Sequence, residues 1–250
     1  MLLNTHSANN QDFYGTAYAS GNAGIYGFVD DIKMEINMKT GGGTRFYIPL
    51  TGPSEIGNNE FIRFVTKDTV KVVKAQTSAG FSLDFNLEAT PDAEVQLIFD
   101  EKSGDVIKAR GEGNLNMKIN SKGKFDMFGD YVLTTGDYLF TLENFITKKF
   151  EIQKGSSIKW NGSAYKANID ITAIYRQRAS VRPIYPADSS GKRYTVDCKL
   201  YMKNKLMAPD ITFGIDLPTI DENSRSAIKS ILNDENELNR QVFSLLLLRS

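Results

Sequence analysis

The chain has 250 residues, with 30 Lys and Arg against 30 Asp and Glu, 41% apolar residues, one Cys and one His. This apolar fraction excludes a disordered chain, and a single cysteine excludes a small domain held together by internal disulfides. The balanced charge argues against a general electrostatic attraction to nucleic acid, so no nucleic-acid partner is expected.

Few residues are available for metal, thiol or triad chemistry. Cys198 and His6 are single residues far apart in the chain, so they cannot form a zinc or haem ligand cluster. Cys198 lies on the apolar side of an alternating run and is predicted to be a buried, inert thiol. Carboxylates such as Asp126 and Asp130 fall beside predicted turns, which their oxygens usually cap. We therefore predict no catalytic residue, no metal and no cofactor, and a protein that is not an enzyme.

The hydrophobic runs are too short for a membrane span. The longest aliphatic run, residues 245–248, is far shorter than the roughly 20 residues that a spanning helix needs. The first residues have neither the positive region nor the apolar region of a secretory signal. Two alternatives follow: a cytosolic protein, or a fragment whose targeting segment lies elsewhere.

Alternating apolar and polar residues dominate the chain from residue 13 to about 217 and predict an all-β protein of about fifteen strands. Each strand has one apolar and one polar face, which is typical of antiparallel sheets with one face in water. The clearest runs are 32–38, 81–87, 115–119, 150–152, 158–160, 167–173, 194–202 and 211–217. Weaker runs are 16–20, 25–29, 44–50, 61–73, 95–99, 105–111 and 125–142.

Glycine, proline and polar residues between these runs predict short turns, and hence a meander rather than βαβ units. Residues 111–113, Gly-Glu-Gly, lie inside a strand pattern and lack the helix of a phosphate loop, so they predict a bend or bulge. The predicted turns are 41–43, 52–53, 90–92, 103–105, 121–123, 135–137, 154–156 and 161–163.

The apolar faces of so many strands must be buried against something. A sandwich of two sheets, a closed barrel, or a trough partly filled by a ligand would each satisfy that need. Alternation alone does not choose between them. Strands about 4.8 Å apart would make a single sheet of this size roughly 70 Å long, which suits a conduit better than a compact pocket.

The pattern changes after Pro218, and two short helices are predicted over 224–232 and 235–248. Asp234 followed by Glu237 is typical of a helix N-cap and its capping-box partner. The apolar residues of the second helix share one face by three-and-four spacing, and they are Leu238, Val242, Leu245 and Leu246. We expect these helices to cap one open end of the sheet.

One local basic patch interrupts the otherwise balanced charge. It is interleaved with tyrosines and predicted to lie in a loop between strands, where it is either solvated or in contact with a lipid headgroup, a partner or a nucleic-acid backbone. Its residues are Arg176, Arg178, Arg182, Lys192 and Arg193. Trp160 shares an apolar side with Ile158 and is expected in a core or groove.

Several strings of the sequence resemble one family. GDYLFTLEN at 136–144, followed by KFEI at 149–152 and GSSIKWNG at 155–162, resembles the C-terminal domain of the TamB family. PDITF at 209–213, DLP at 216–218 and LNRQVFSLL at 238–246 are similar to its final strands and terminal helix. FYGTA at 13–17, TRFYIPL at 44–50, TPDA at 90–93 and LIFD at 97–100 are similar to the version carried by Bacteroidetes-type bacteria.

The resemblance implies the translocation and assembly module of Gram-negative envelopes, related to the AsmA-like bridge-type lipid transfer proteins. Members are anchored in the inner membrane by an N-terminal helix and cross the periplasm as a long curled β-sheet with an apolar interior. Their C-terminal domain meets an outer-membrane barrel protein of the TamA or BamA type. The family is associated with outer-membrane protein assembly and with phospholipid movement toward the outer membrane. No enzymatic activity is implied.

With this resemblance we expect a periplasmic C-terminal fragment of a longer envelope protein. Residues 1–250 would be a single β-rich domain, with an antiparallel trough over 13–217 and a helical cap over 222–250. Its partners would be a phospholipid, or another lipid with acyl chains, and an outer-membrane barrel protein.

The apolar face of the trough would shield acyl chains or unfolded strands, since each methylene kept from water is worth about 0.8 kcal/mol. A charge, as in Leu83→Asp or Ile171→Asp, is expected to block cargo and leave expression intact. An alternative is a scaffold whose edge strand pairs with a barrel protein and whose interior is only a core. A carbohydrate-binding or hydrolytic β-sandwich has scattered carboxylates and aromatics in its favour. The predicted lining comprises Phe81, Leu83, Phe85, Leu87, Leu115, Met117, Ile119, Ile169, Ile171, Val196, Leu200, Ile211, Phe213 and Ile215.

Overall fold

The computed structural model describes residues 1–6, 13–28, 30–50, 80–100, 103–122, 124–142, 146–163, 166–186, 188 and 191–247. These residues form one sheet of 14 strands and two C-terminal helices, which confirms the predicted all-β class and both helices. The strands are β1 Leu3–Thr5, β2 Tyr14–Ala17, β3 Ala19–Phe28, β4 Asp31–Thr40, β5 Arg45–Pro49, β6 Gly80–Ala89, β7 Glu94–Asp100, β8 Asp105–Asn120, β9 Phe125–Leu142, β10 Ile146–Ile152, β11 Ser157–Ser163, β12 Asn168–Ser180, β13 Arg193–Lys205 and β14 Ala208–Asp216. The helices are α1 Glu222–Ile231 and α2 Glu235–Leu247.

The sheet divides into two branches at the long strand β8. The first part of β8 pairs with β7, and that branch continues through β5 and β2 to β1. The second part pairs with β6, and that branch continues through β4 to β3. Beyond β8 come β9, then β10 and β11 side by side, then β12, β13 and β14. The described strands therefore form a single sheet rather than a two-sheet sandwich.

Two strand pairs are parallel, β4 with β6 and β5 with β7, and the other pairings of the described strands are antiparallel. The parallel pairs arise because β4, β5, β6 and β7 alternate between the two branches. The chain leaves the β4 branch for β5 and then returns to it as β6, so β6 runs in the same direction as β4. The same holds for β5 and β7 in the other branch. The strand predicted at 61–73 and the turn predicted at 52–53 lie outside the described residues.

The long strand β8 merges the two runs predicted at 105–111 and 115–119, and β9 coincides with the single run predicted at 125–142. The turn predicted at 135–137 was wrong, because these residues lie inside β9. Residues 135–137 follow a β-bulge in β9. Arg110 and Gly111 are consecutive on β8 but pair with Thr135 and Leu133, so Thr134 is the extra residue on β9. The register shift begins at Gly111, as the bend or bulge predicted at 111–113 requires, but the extra residue lies on the partner strand β9. A Cβ on Gly111 would lie 2.4 Å from the Val132 carbonyl oxygen, so the close strand approach requires glycine.

The hairpin turn predicted at 161–163 was also wrong. Asn161 and Gly162 lie in β11 and pair with Phe128 and Met127 of β9. Strand pairing overrides the local turn preference here, and Gly162 provides the positive φ of 124° that this path requires. The turns predicted at 41–43, 90–92, 103–105 and 154–156 are confirmed, as is the described part of the one at 121–123.

The helices form a second layer over part of the sheet, and α2 packs against β14 and β10. Asp234 caps α2 as predicted, because its Oδ1 accepts a hydrogen bond from the Glu237 amide at 2.8 Å. The Glu237 carboxylate binds Arg240 and Gln241, so the other half of the predicted capping box is not formed. No helix among the described residues is long and apolar enough to cross a lipid bilayer.

Two apolar clusters meet beneath these helices. The larger one joins β7–β10 and β12–β13 to Val242 and Leu246 of α2. The smaller one joins the β12–β13 end of the sheet to Ile228 of α1 and Leu245 of α2, and it contains Cys198. Cys198 is fully buried, as predicted, and burial raises the pKa of its thiol to about 12. A thiol that stays protonated at neutral pH is a packing group rather than a nucleophile.

Candidate functional site: an apolar sheet face

All fourteen residues of the predicted lining lie on one face of the sheet. Strand register demonstrates this, because residues that pair directly across neighbouring strands point to the same side. Phe85 pairs with Met117 on β8, and Met117 in turn pairs with Met127 on β9. Farther along the sheet, Leu200 pairs with Phe213. The alternation pattern therefore identified the correct face in both the early and the late strands.

Burial divides this shared face into two halves. We call the part near α2 the closed half: residues 131–142 of β9 together with β10, β12, β13 and β14. Within it, Ile169, Ile171, Val196 and Leu200 are at most 4% exposed. These four side chains are core residues enclosed by the protein itself. The expectation that Ile171→Asp blocks cargo and leaves expression intact is therefore corrected, because the new carboxylate would lie inside a packed core and is expected to disrupt folding.

Aromatic contacts fill the closed half. The ring centroids of Phe140 and Phe150 are 5.8 Å apart in an edge-to-face arrangement, and Phe140 also contacts Phe213 at 6.1 Å. Phe213 in turn meets Phe243 of α2 at 5.8 Å. The predicted lining residue Phe213 is thus covered by the helix. Ile211, which precedes Phe213 on the same strand, is 42% exposed.

The second half of the face is different. We call it the open apolar face: β4, β6, residues 115–120 of β8 and residues 125–129 of β9. Of the predicted lining, Leu115 is buried at its boundary, and the other members here are half-buried, namely Phe81, Leu83, Phe85, Leu87, Met117 and Ile119. Spaced about 4.8 Å apart, its four strands give a surface roughly 14 Å wide.

Sequence reasoning missed six members of the open apolar face. Ile32, Met34, Ile36 and Met38 of β4 pair in register with Phe81, Leu83, Phe85 and Leu87 of β6. Phe125 and Met127 of β9 complete the surface. The alternation of 32–38 is visible in the sequence, but only the parallel β4–β6 pairing places it beside the predicted lining. The register thus nearly doubles the number of apolar side chains on this face.

The opposite, polar face carries two concavities of about 560 and 400 Å³. The side chains that point into the larger one include Asn37, Asn86, Asn116 and Phe128. These concavities lie on the other side of the sheet from the open apolar face, so the two surfaces are separate candidates for binding.

The structure places the five basic residues in two kinds of position. Arg176 and Arg178 lie in β12 and Arg193 begins β13, so the prediction of a loop was wrong for these three. Arg182 and Lys192 lie in the connection between these strands. Contact of this group with a headgroup or partner stays a prediction.

Most of the basic charge in β12 and β13 is already engaged. The Arg176 guanidinium binds the carboxylate of Asp197 through two hydrogen bonds of 2.7 and 2.8 Å, which raise the pKa of Arg176. Arg178 and Arg193 donate to each other's backbone carbonyl oxygens at 3.1 and 2.7 Å. These contacts hold the strand pair together and leave less of the patch available to an anionic ligand.

Comparison with known proteins gives one family. The model of the TamB C-terminal domain matches residues 2–250. No curated protein matches the chain. The TamB family comprises Gram-negative envelope proteins of the translocation and assembly module, which act in outer-membrane biogenesis through protein assembly or lipid transport. Matched over almost its whole length, the chain belongs to the TamB family and consists of its C-terminal domain.

Proposed function

We propose that this domain shields the acyl chains of phospholipid from water in the periplasm, as part of outer-membrane biogenesis. The observation that carries the proposal is the open apolar face, a half-buried apolar surface on four adjacent strands that the C-terminal helices leave uncovered. Soluble proteins rarely keep such a continuous apolar surface unless something binds there. The proposed role is binding and transfer, without catalysis.

The chemistry of the open apolar face suits a variable, flexible ligand. Four of the seven methionines of the chain lie on it: Met34, Met38, Met117 and Met127. Methionine side chains are unbranched and polarizable, so they adjust to ligands of different shape at small energetic cost. A surface of this kind favours acyl chains of mixed length and unsaturation over one precisely fitted molecule.

The energetics favour movement along the face. Each methylene removed from water contributes about 0.8 kcal/mol, and equivalent apolar neighbours let a chain shift without losing that contribution. The open apolar face borders the apolar core of the closed half through Leu115, which is 8% exposed. A ligand on this face therefore contacts the apolar side chains of the four strands and, at one edge, the apolar core of the closed half.

Native mass spectrometry of the gently purified protein tests the proposal, followed by solvent extraction of bound lipid. We expect added mass in phospholipid-sized steps, lost in Leu83→Asp. The matched control is Ser82→Asp, which places the same charge one residue earlier on β6, on the polar face. Lipid retained equally by both variants would show that the open apolar face is not the binding surface.

A second candidate function has its own observation. Strand β3 is an edge among the described strands, ten residues long, and it carries no charged residue. Ile25 and Phe28 are 69% and 82% exposed on it. Edge strands that must stay unpaired usually carry charge, proline or a bulge. Such an edge favours a scaffold that pairs with a strand of an outer-membrane barrel protein.

Capture of a purified outer-membrane barrel protein discriminates this scaffold role from lipid shielding. Ala23→Lys would place a charge on β3 and should abolish capture, whereas Leu83→Asp should leave it unchanged. Capture that is kept by Ala23→Lys and lost in Leu83→Asp would show that β3 is not the docking edge.

A further inference from the structure

We call the strands that carry the open apolar face, together with β3, the open half, and their opposite, polar face carries an ordered row of amides. Asn22, Asn37, Asn86 and Asn116 pair directly across β3, β4, β6 and β8. Their side chains form a ladder: Nδ2 of Asn116 donates to Oδ1 of Asn86 at 2.8 Å, Asn86 donates to Asn37 at 3.0 Å, and Asn37 donates to Asn22 at 3.2 Å. The amides therefore hold one another in fixed, parallel orientations.

The row continues into an aromatic side chain. Asn116 pairs with Phe128 of β9, and Phe128 pairs with Asn161 of β11. Phe128 is 37% exposed on this otherwise polar face. The concavity of about 560 Å³ includes Asn37, Asn86, Asn116 and Phe128 among its lining residues. Amides and an aromatic ring thus meet in one recess.

The ladder leaves hydrogen-bonding capacity toward the recess. A carboxamide has two N–H donors and two acceptor lone pairs. Within the described part of the chain, the ladder uses one donor and one acceptor of Asn37 and of Asn86. Each of these amides keeps one donor and one acceptor, already oriented by its neighbours. Preorganised groups of this kind lose little conformational entropy when a ligand binds.

The recess favours a neutral ligand. The charged residues beside the row have partners within the sheet: Lys39 pairs with Glu88 at 2.6 Å, Lys159 with Asp130 at 3.3 Å and Lys118 with Asp84 at 3.8 Å. The Asp84 carboxylate also accepts a hydrogen bond from Nδ2 of Asn116, and the Glu35 carboxylate accepts one from the Tyr26 hydroxyl. The amide row itself carries no charge. An ionic ligand would gain little here, whereas hydroxyl and amide groups would find both donors and acceptors.

We propose that this amide row binds an extended, neutral glycan chain of N-acetylated sugars. Successive amides lie one strand spacing apart, about 4.8 Å, which is close to the length of one sugar ring in an extended glycan. Acetamido groups and hydroxyls match the free donors and acceptors of the asparagines. The apolar face of a sugar ring packs on an aromatic side chain such as Phe128.

Calorimetric titration of the whole chain with chitohexaose, a soluble N-acetylated hexasaccharide, tests this site. We expect saturable binding, and binding about tenfold or more weaker in Phe128→Ala, because the aromatic platform is lost. Val132→Ala is the matched control, an exposed apolar residue on the same face of the same strand, and it should bind as the unmodified protein does. Absence of binding, or equal affinity of Phe128→Ala, would overturn the proposal.

Three further measurements define the ligand and guard against misfolding. Asn86→Ala interrupts the ladder and should also weaken binding; its thermal unfolding shows whether the variant is folded, and Phe128→Ala leaves the ladder intact in any case. Maltohexaose, which lacks acetamido groups, should bind at least several-fold more weakly, and equal binding would overturn the assignment to N-acetylated sugars. Co-sedimentation with chitin, the neutral insoluble polymer of the same N-acetylated sugar, asks whether the polymer is recognised as the soluble chain is, and chitin that does not sediment the protein would overturn an extended polymer as ligand.

This proposal is independent of lipid shielding. The two surfaces lie on opposite faces of the sheet, so Leu83→Asp should lose lipid and keep chitohexaose. Phe128→Ala should lose chitohexaose and keep lipid.

Discussion

The closed half and the open half of the sheet are built from the same kind of strand. The apolar side chains of the closed half nevertheless form a core, whereas those of the open half lie at a surface. Both alternate apolar and polar residues, and their apolar side chains share one face. In the closed half, Leu200 is fully buried, whereas Leu83 in the open half is only half-buried. Alternation therefore specifies which face is apolar, and a second layer decides whether that face becomes a core.

Helix α2 provides that second layer through specific contacts. The Gln177 side chain, buried on β12, donates from Nε2 to the carbonyl oxygen of Leu245 at 2.7 Å. This bond satisfies one of the carbonyls that a helix leaves free in its last turn. Together with Phe243 against Phe213, it seats the helix on the closed half. The open half has equivalent apolar residues, but α2 does not extend over them.

A charge placed in each half should give the largest difference between them. Ile171→Asp would bury an unpaired carboxylate in the closed half and should destabilise the fold by about 5 kcal/mol or more, enough to prevent folding. Leu83→Asp, whose carboxylate can reach water, should fold. Soluble yield and far-ultraviolet circular dichroism measure both outcomes, and a folded Ile171→Asp would show that the closed half is accessible after all.

Removal of one aromatic ring from each half should give the next largest effect. Phe150 is fully buried, so Phe150→Ala should lower the free energy of unfolding by about 3–5 kcal/mol. Phe85→Ala removes a half-buried ring and should lower it by about 1–2 kcal/mol. Chemical denaturation gives both values. Equal losses would mean that the open apolar face is as tightly packed as the core.

Loosening α2 should make the closed half resemble the open half. Gln177→Ala removes the bond to Leu245 and should lower the free energy of unfolding by about 1–2 kcal/mol. It should also increase binding of a dye that reports exposed apolar surface, because the helix is less firmly seated. Gln153→Ala, on an exposed side chain, is the control and should change neither quantity.

The smallest effect should come from an ion pair of the closed half. Partial burial of Asp216 acts to raise the pKa of its carboxyl, but hydrogen bonds from Lys199 and the Leu217 amide and the charge of Lys199 outweigh it, so the pKa is lowered. A lowered folded-state pKa adds stability above the unfolded-state pKa, and that stability is lost as pH falls through the folded-state value.

Thermal unfolding measured from neutral pH down to strong acid should therefore show a slightly shallower loss of stability in Asp216→Asn. Glu88→Gln in the open half breaks a pair in which both side chains are more than half exposed, and it should have little effect at neutral pH. An unchanged acid slope in Asp216→Asn would show that this pair does not contribute to the pH dependence.

The sequence by itself determined the elements and their orientation. Alternation identified the strands and the apolar face, because side chains of a strand point to opposite sides with a period of two. The spacing of Leu238, Val242 and Leu245 identified the buried face of α2. Strings spread across the chain were specific enough to indicate the family that the full-length match then established.

Only the tertiary structure decided which strands are neighbours. Branching at β8 made β4 a parallel neighbour of β6, and this added Met34 and Met38 to the open apolar face. The same pairing aligned Asn37 with Asn86 in the amide ladder. Turn-forming residues at 135–137 and 161–163 do not form turns, because strand pairing stabilises extended backbone there. Register and coverage depend on contacts between residues far apart in the chain, which local periodicity does not encode.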